Sequence, residues 1–165
     1  MDVKKVTEKT MRDGGVLAML YFDVHAASKE ATQQLGTGFV NHLIKTNGVV
    51  YALGEIDEPV GGEEGKNYST SISVKILTKD FLTLGSICLT HSPFTVEILK
   101  PDEIKLPLNQ AHELLSTMSA TAAEYKKLII TKISKPEELA EFQEQLRIRA
   151  ELGKKILEKK VKKND

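Results

Sequence analysis

The hydrophobic pattern of this 165-residue chain changes character twice. Residues 1–15 are polar and close on Asp13-Gly14-Gly15, a turn signal ahead of the first apolar run. Val16–His25 (VLAMLYFDVH) is apolar on both faces for most of its length. A doubly covered central strand has that pattern, and the β-branched and aromatic content favours strand over buried helix. Ser28 then offers an N-cap for a helix reaching about Thr46, with Asn47-Gly48 as its stop. Along it Ala31, Leu35, Phe39 and Leu43 recur every four residues, joined by Val40 and Ile44 on adjoining rows. Gly36 and Gly38 inside this helix each cost up to about 1 kcal/mol relative to alanine. Close approach of the helix to a sheet is the commoner reason for such glycines, and a ligand-contacting backbone the rarer one.

Val49–Ile56 reads as a second strand, and Pro59–Gly65 as a long, acidic, flexible connection. In Ser69–Leu77, Ile72, Val74 and Ile76 alternate with Ser71, Ser73 and Lys75, which predicts one buried and one exposed face. Asp80 caps a short helix to about Thr90 that turns Phe81, Leu84, Ile87 and Cys88 to one side. Phe94–Leu99 alternates again with Phe94, Val96 and Ile98 inward, and Pro101 ends it. The order strand, helix, strand, strand, helix, strand predicts an α+β, ferredoxin-like βαββαβ antiparallel sheet with both helices on one face.

Past residue 107 the period becomes helical. Ala111, Leu115, Met118, Ala122, Tyr125 and Ile129 form a heptad-like seam on a helix from Asn109 to about Thr131. Ser134-Lys135-Pro136-Glu137 is a capping box that starts a last helix reaching about Lys162, some ~40 Å long. Leu139, Leu146, Ala150, Leu157 and Val161, with Phe142, make one stripe on it. Ile148, Leu152 and Ile156 make a second, nearly opposite. Two helices with a short connection predict an antiparallel hairpin, which buries one seam and leaves the other stripe bare. The chain thus divides into a polar segment (1–15), an α+β domain (16–107) and a C-terminal helical hairpin with a basic tail (108–165). Bare apolar stripes mark contact surfaces, so the hairpin either covers the open face of the sheet or joins another chain. Self-association is the favoured reading, with Ile148, Leu152, Ile156, Leu157 and Val161 as the expected oligomer interface.

Composition narrows the function classes. Lys plus Arg and Asp plus Glu both number 23, giving a formal net charge of zero. From Gly153 onward, however, six lysines face two acids, a local balance of +4. Lysines favour the negative pole of a helix dipole, which explains them without a partner. Only three arginines occur, so nucleic acid is an unfavoured partner. One cysteine excludes a disulfide framework, and no run has the length of a membrane span or secretory leader. A cytoplasmic protein that needs no cofactor is the expectation.

Candidate chemistry lies on the sheet face opposite Ala18, Leu20, Phe22 and Val24. Tyr21, Asp23 and His25 share it with Ser73 and Lys75 of the third strand and Glu97 of the fourth, a candidate ligand-binding platform. Asp23 and His25 could bind a metal or pair as a base and its orienter, but the polar end of a strand leaving the sheet is the preferred reading, since they are too few for a closed metal site. Cys88 reads as core. Gly61–Gly65 lacks the Lys-Ser/Thr of a phosphate loop. With no catalytic motif, the expectation is a non-enzymatic oligomeric binding or scaffold protein that self-associates through its C-terminal helices. A small-molecule-sensing regulatory domain and a weak nucleic-acid binder using the lysine tail are the alternatives.

Overall fold

The structure is a computed structural model that describes residues 2–61, 67–133 and 136–161, without the side chains of 136, 139, 149 and 153–161. The chain forms two compact units, Met1–Met118 and Ser119–Asp165. In order its elements are α1 (Val3–Arg12), β1 (Val16–Ala26), α2 (Lys29–Ile44), β2 (Val49–Ile56) and β3 (Val60–Gly61). They continue with β4 (Tyr68–Thr78), α3 (Phe81–His91), β5 (Thr95–Lys100), α4 (Leu108–Ile133) and α5 (Pro136–Val161).

The first unit is α+β. One five-stranded antiparallel sheet runs β2-β4-β1-β5, with the short β3 also on β4. β3 forms within the predicted acidic connection, whose residues Gly62, Glu63, Glu64 and Gly65 lie outside the described residues. β1 is interior, and its two apolar faces feed two clusters. Ala18, Leu20 and Phe22 join Ile72, Val74 and Ile76 of β4 in the main core beneath α2 and α3. The alternation in β4 is as the sequence predicts: Ile72, Val74 and Ile76 are all fully buried. Leu17, Tyr51 and Leu77 form a smaller cluster on the other face, packed by Met11 of α1 and by Val50 and Leu99.

α1 is the element the polar reading of residues 1–15 lacks. Asp2 caps it by accepting from the Lys5 N–H at 3.3 Å, and Thr7 Oγ1 lies 3.0 Å from the Tyr51 hydroxyl across the chain. The following turn is tight. A Cβ on Gly15 would stand 2.5 Å from Thr10 Cγ2 and 2.8 Å from the carbonyl oxygens of Thr10 and Thr78.

α2 starts where expected, with Ser28 Oγ accepting from the Ala31 N–H at 3.1 Å. Its inward face is rotated from the predicted one. Thr32, Gly36 and Leu43 are buried and Phe39 and Val40 pack on the core, whereas Leu35 and Ile44 are exposed. Gly36 makes that rotation possible, since a Cβ there would meet the Ile56 and Ile72 methyls at 3.1 and 3.2 Å. Gly38 faces open space. Gly38→Ala is therefore expected to stabilise the fold by roughly 0.5–1 kcal/mol, read as a higher urea midpoint at unchanged slope.

α3 is capped by Asp80, which accepts from the Thr83 N–H and hydroxyl, both at 2.7 Å. It turns Leu84, Ile87, Phe81 and Cys88 to the core as predicted. β5 departs from expectation. Val96 and Ile98 lie opposite Leu20 and Ala18 as the alternation predicts but are both 42% exposed. Phe94, predicted inward, precedes the strand with its ring beside Tyr21 and is 60% exposed. β5 is the terminal strand, and the helical layer that buries β1 does not reach over it. The start of α4 is also rotated: Leu114 meets Gly85 of α3, and Gln110, Leu114 and Thr117 are half-buried. The predicted seam residues Leu115 and Met118 instead face solvent.

The second unit carries the rest of α4 together with α5. Tyr125, Leu128, Ile129 and Ile133 of α4 are exposed, as are Ile148 and Leu152 of α5, while Phe142 and Leu146 are half-buried. Arg147 donates to Glu144 at 2.6 and 2.9 Å and to Glu151 at 2.9 Å along the α5 surface. Ser134 and Lys135 of the capping box lie outside the described residues, as do the side chains of Leu139, Ile156, Leu157, Val161 and the terminal lysines.

Candidate functional site

Strand alternation sets Met19, Tyr21, Asp23 and His25 on the sheet face away from α2 and α3. The antiparallel register then places the polar residues of β4 beside them: Lys75 opposite Met19, Ser73 opposite Tyr21, Ser71 opposite Asp23 and Ser69 opposite His25. On the other side of β1, Glu97 pairs with Met19 and Thr95 with Tyr21. Lys75 and Glu97 thus flank Met19 from two different strands, about 10 Å apart by strand spacing. Leu53 pairs with Lys75 and Glu55 with Ser73 from β2, making a shallow depression of about 250 Å³ lined by Met19, Leu53, Ser73 and Lys75. α1 packs over the Leu17 end of this face, so the platform is its far half.

The tightest polar geometry is at the far end of β1. His25 Nε2 lies 2.7 Å from Asp23 Oδ2, and His25 Nδ1 lies 2.7 Å from Ser69 Oγ. Next to it the Ser71 hydroxyl donates to the Asp57 carboxylate. Hydroxyl, imidazole and carboxylate stand in the order that nucleophilic catalysis uses. Here the imidazole and carboxylate side chains are 55% and 63% exposed, in a water-like medium that gives such a chain little electrostatic leverage. Both ring nitrogens are also engaged within the protein. The arrangement orders the strand end and presents a fixed pattern of donors and acceptors. Ser69 and Asp57 are absent from the sequence reading; strand parity plus the β1–β4 register would have found Ser69, but nothing in the sequence points to Asp57. Tyr21 stands apart from this chain, its ring 6.2 Å from that of Phe94.

A second polar grouping joins two histidines that sequence spacing leaves separate. His42 near the end of α2 and His91 at the end of α3 face each other with ring centres 5.6 Å apart, and His91 packs edge-on to Phe39 at 5.4 Å. They border a cleft of about 370 Å³ shared with Asn47, Lys79, Asp80 and Glu113. Burial, and secondarily the nearby His42 charge, holds His91 below the ordinary histidine range. The unfolded chain then takes up this proton first as pH falls. The neutral His91 contribution to stability is complete above pH 6.5 and is lost as the pH drops below it. Thermal melts at pH 7.5 and 5.5 should show a larger acid-induced fall for the native protein than for His91→Gln.

Cys88 is half-buried against the main core, and burial pushes its thiol up, which makes it a poor nucleophile. Its alkylation by iodoacetamide at pH 8 is expected to be about tenfold or more slower in the folded protein than in urea. Among the described residues no cluster of three or more His, Cys, Asp or Glu is placed to hold a metal ion, and no helix is long and apolar enough to cross a membrane.

No curated protein and no solved structure matches the chain. A family model does, over residues 17–163, from the second residue of β1 to beyond the end of α5. The α+β body and the C-terminal helices thus fall within a single family pattern, and the chain belongs to the MJ0538 family.

Proposed function

We propose that this chain is a non-enzymatic, self-associating binding or scaffold protein whose C-terminal helices join it to a second copy. The observation that carries this reading is the pair Ile148 and Leu152, one helical turn apart on α5 and 46% and 54% exposed. Leu128, Ile129 and Ile133 of α4 add exposed apolar surface in the same unit. The 3-4-3-4 spacing from Leu115 to Ile129 is that of helices packed lengthwise, and identical helices satisfy it with each other. Zero net charge removes long-range repulsion between copies, and Arg147 already has its carboxylate partners on its own helix.

The body reads as ferredoxin-like. With the two-residue β3 set aside, the sheet order second-third-first-fourth, all antiparallel, is how two interlocked βαβ units arrange their strands. α4 and α5 read as an antiparallel hairpin. The platform of Tyr21, Asp23, His25, Ser73, Lys75 and Glu97 is the ligand or partner surface on this body. The exposure of the His25 and Asp23 side chains to water favours binding over catalysis there. The test is Ile148→Glu with Leu152→Glu in the full chain, measured by light scattering. The native protein is expected at a multiple of 18.3 kDa and the double variant at a lower multiple with unchanged helicity. A variant that keeps the native mass would overturn the reading.

A further inference from the structure

We propose that β5 is a second self-recognition element, its outer edge pairing antiparallel with β5 of another copy about a dyad at Val96. β5 ends the sheet and pairs with β1 alone among the described strands. Its row facing the helical side continues the core: Ile98 pairs with Ala18 and Val96 with Leu20. Ala18 and Leu20 are fully buried, yet Ile98 and Val96 are both 42% exposed. The apolar layer therefore runs out to an open sheet edge and stops uncovered.

Edge strands usually discourage such pairing with prolines, bulges and charges. Here those devices stand at the ends, with Pro93 before the strand, Pro101 after it and a register break at Leu99. Between them Phe94–Ile98 is a window with one charge, Glu97, and that charge lies on the opposite face. Facing residues in an antiparallel pair share a face, so two identical strands can place their dyad only on a residue, and Thr95, Val96, Glu97 and Ile98 are the choices. A dyad at Glu97 opposes two carboxylates, which is destabilising. Dyads at Thr95 or Ile98 run the pairing onto Pro93 or onto the break at Leu99 and Pro101. The dyad at Val96 avoids both faults. It sets Val96 against itself and the Thr95 hydroxyl beside the Glu97 carboxylate of the second copy.

With the helices read as a self-association surface, the same second copy is the occupant here, and the identity of the partner rests on that reading. Two isologous contacts on one chain then raise the assembly beyond a dimer.

The experiment is site-directed oxidative crosslinking of the full chain. Facing Cα atoms in an antiparallel pair lie about 4.5–5.5 Å apart, within disulfide range. Val96→Cys is expected to give a reducible covalent dimer at least about tenfold faster than Thr95→Cys or Glu97→Cys alone. Thr95→Cys mixed with Glu97→Cys is expected to crosslink as a pair. Val96 is partly exposed, so its replacement leaves the core intact, and peptide mapping separates any product through Cys88. If Val96→Cys does not crosslink while the native protein is oligomeric by light scattering, β5 pairing is wrong and helix-mediated association stands. If Glu97→Cys crosslinks with itself instead, the register is wrong. If Val96→Cys crosslinks and the Ile148→Glu, Leu152→Glu variant leaves the native mass unchanged, β5 pairing stands and the helical reading falls.

Discussion

Leu20→Ala is expected to lower the unfolding free energy by about 3 kcal/mol, within the range for emptying a fully buried leucine site. Leu20 is completely buried on the interior strand β1, with Val74 opposite it on β4 and Val96 opposite it on β5. Its neighbours are held by two ladders and two helices, so the site cannot collapse to refill the void. For a domain whose whole stability is about 5–15 kcal/mol, that loss is a large share. Leu35→Ala is the control: the same deletion at a 54% exposed position on α2 should stay within about 0.5 kcal/mol. Urea unfolding followed by circular dichroism reads both. Equal midpoint shifts would contradict the placement of the core.

Gly15→Ala is the second large effect, expected to destabilise by about 2–3 kcal/mol through overpacking. Two of the three atoms a Cβ would strike are backbone carbonyl oxygens, of Thr10 and Thr78, at 2.8 Å. Neither is the free end of a flexible side chain. Relief requires moving α1 away from β1, which also disturbs the Gly15 N–H bond to the Thr10 carbonyl at 2.8 Å. Met11 would then leave its cluster with Leu17, Tyr51 and Leu77. Amide hydrogen exchange in α1 should accelerate in this variant while exchange in β4 follows global stability alone. An unchanged urea midpoint and an unchanged α1 would show that the turn is looser than the geometry here.

Elements governed by local chemistry were legible in the sequence. Ser28 and Asp80 are side-chain caps whose partners lie three residues away, and β4 alternates because one of its faces is buried. Elements governed by distant packing were not. The face of α2 turns on Gly36 meeting Ile56 and Ile72, residues of two other elements. The exposure of Val96 and Ile98 depends on where the helical layer ends, which alternation within β5 does not encode. α1 was hidden because a ten-residue helix with few apolar residues resembles a polar leader until Leu17, Tyr51 and Leu77 need a cover. The site followed the same division. Parity places Tyr21, Asp23, His25, Ser73, Lys75 and Glu97 on one face, while Ser69 enters through cross-strand register and Asp57 through the connection that follows β2.

The most direct measurement of the central claim is sedimentation equilibrium of the full chain over a hundredfold range of concentration near neutral pH. Burial of the bare α5 stripe by a second copy predicts a mass that rises with concentration to a multiple of 18.3 kDa. A mass fixed at 18.3 kDa throughout would mean that Ile148 and Leu152 stay in water, and would contradict self-association.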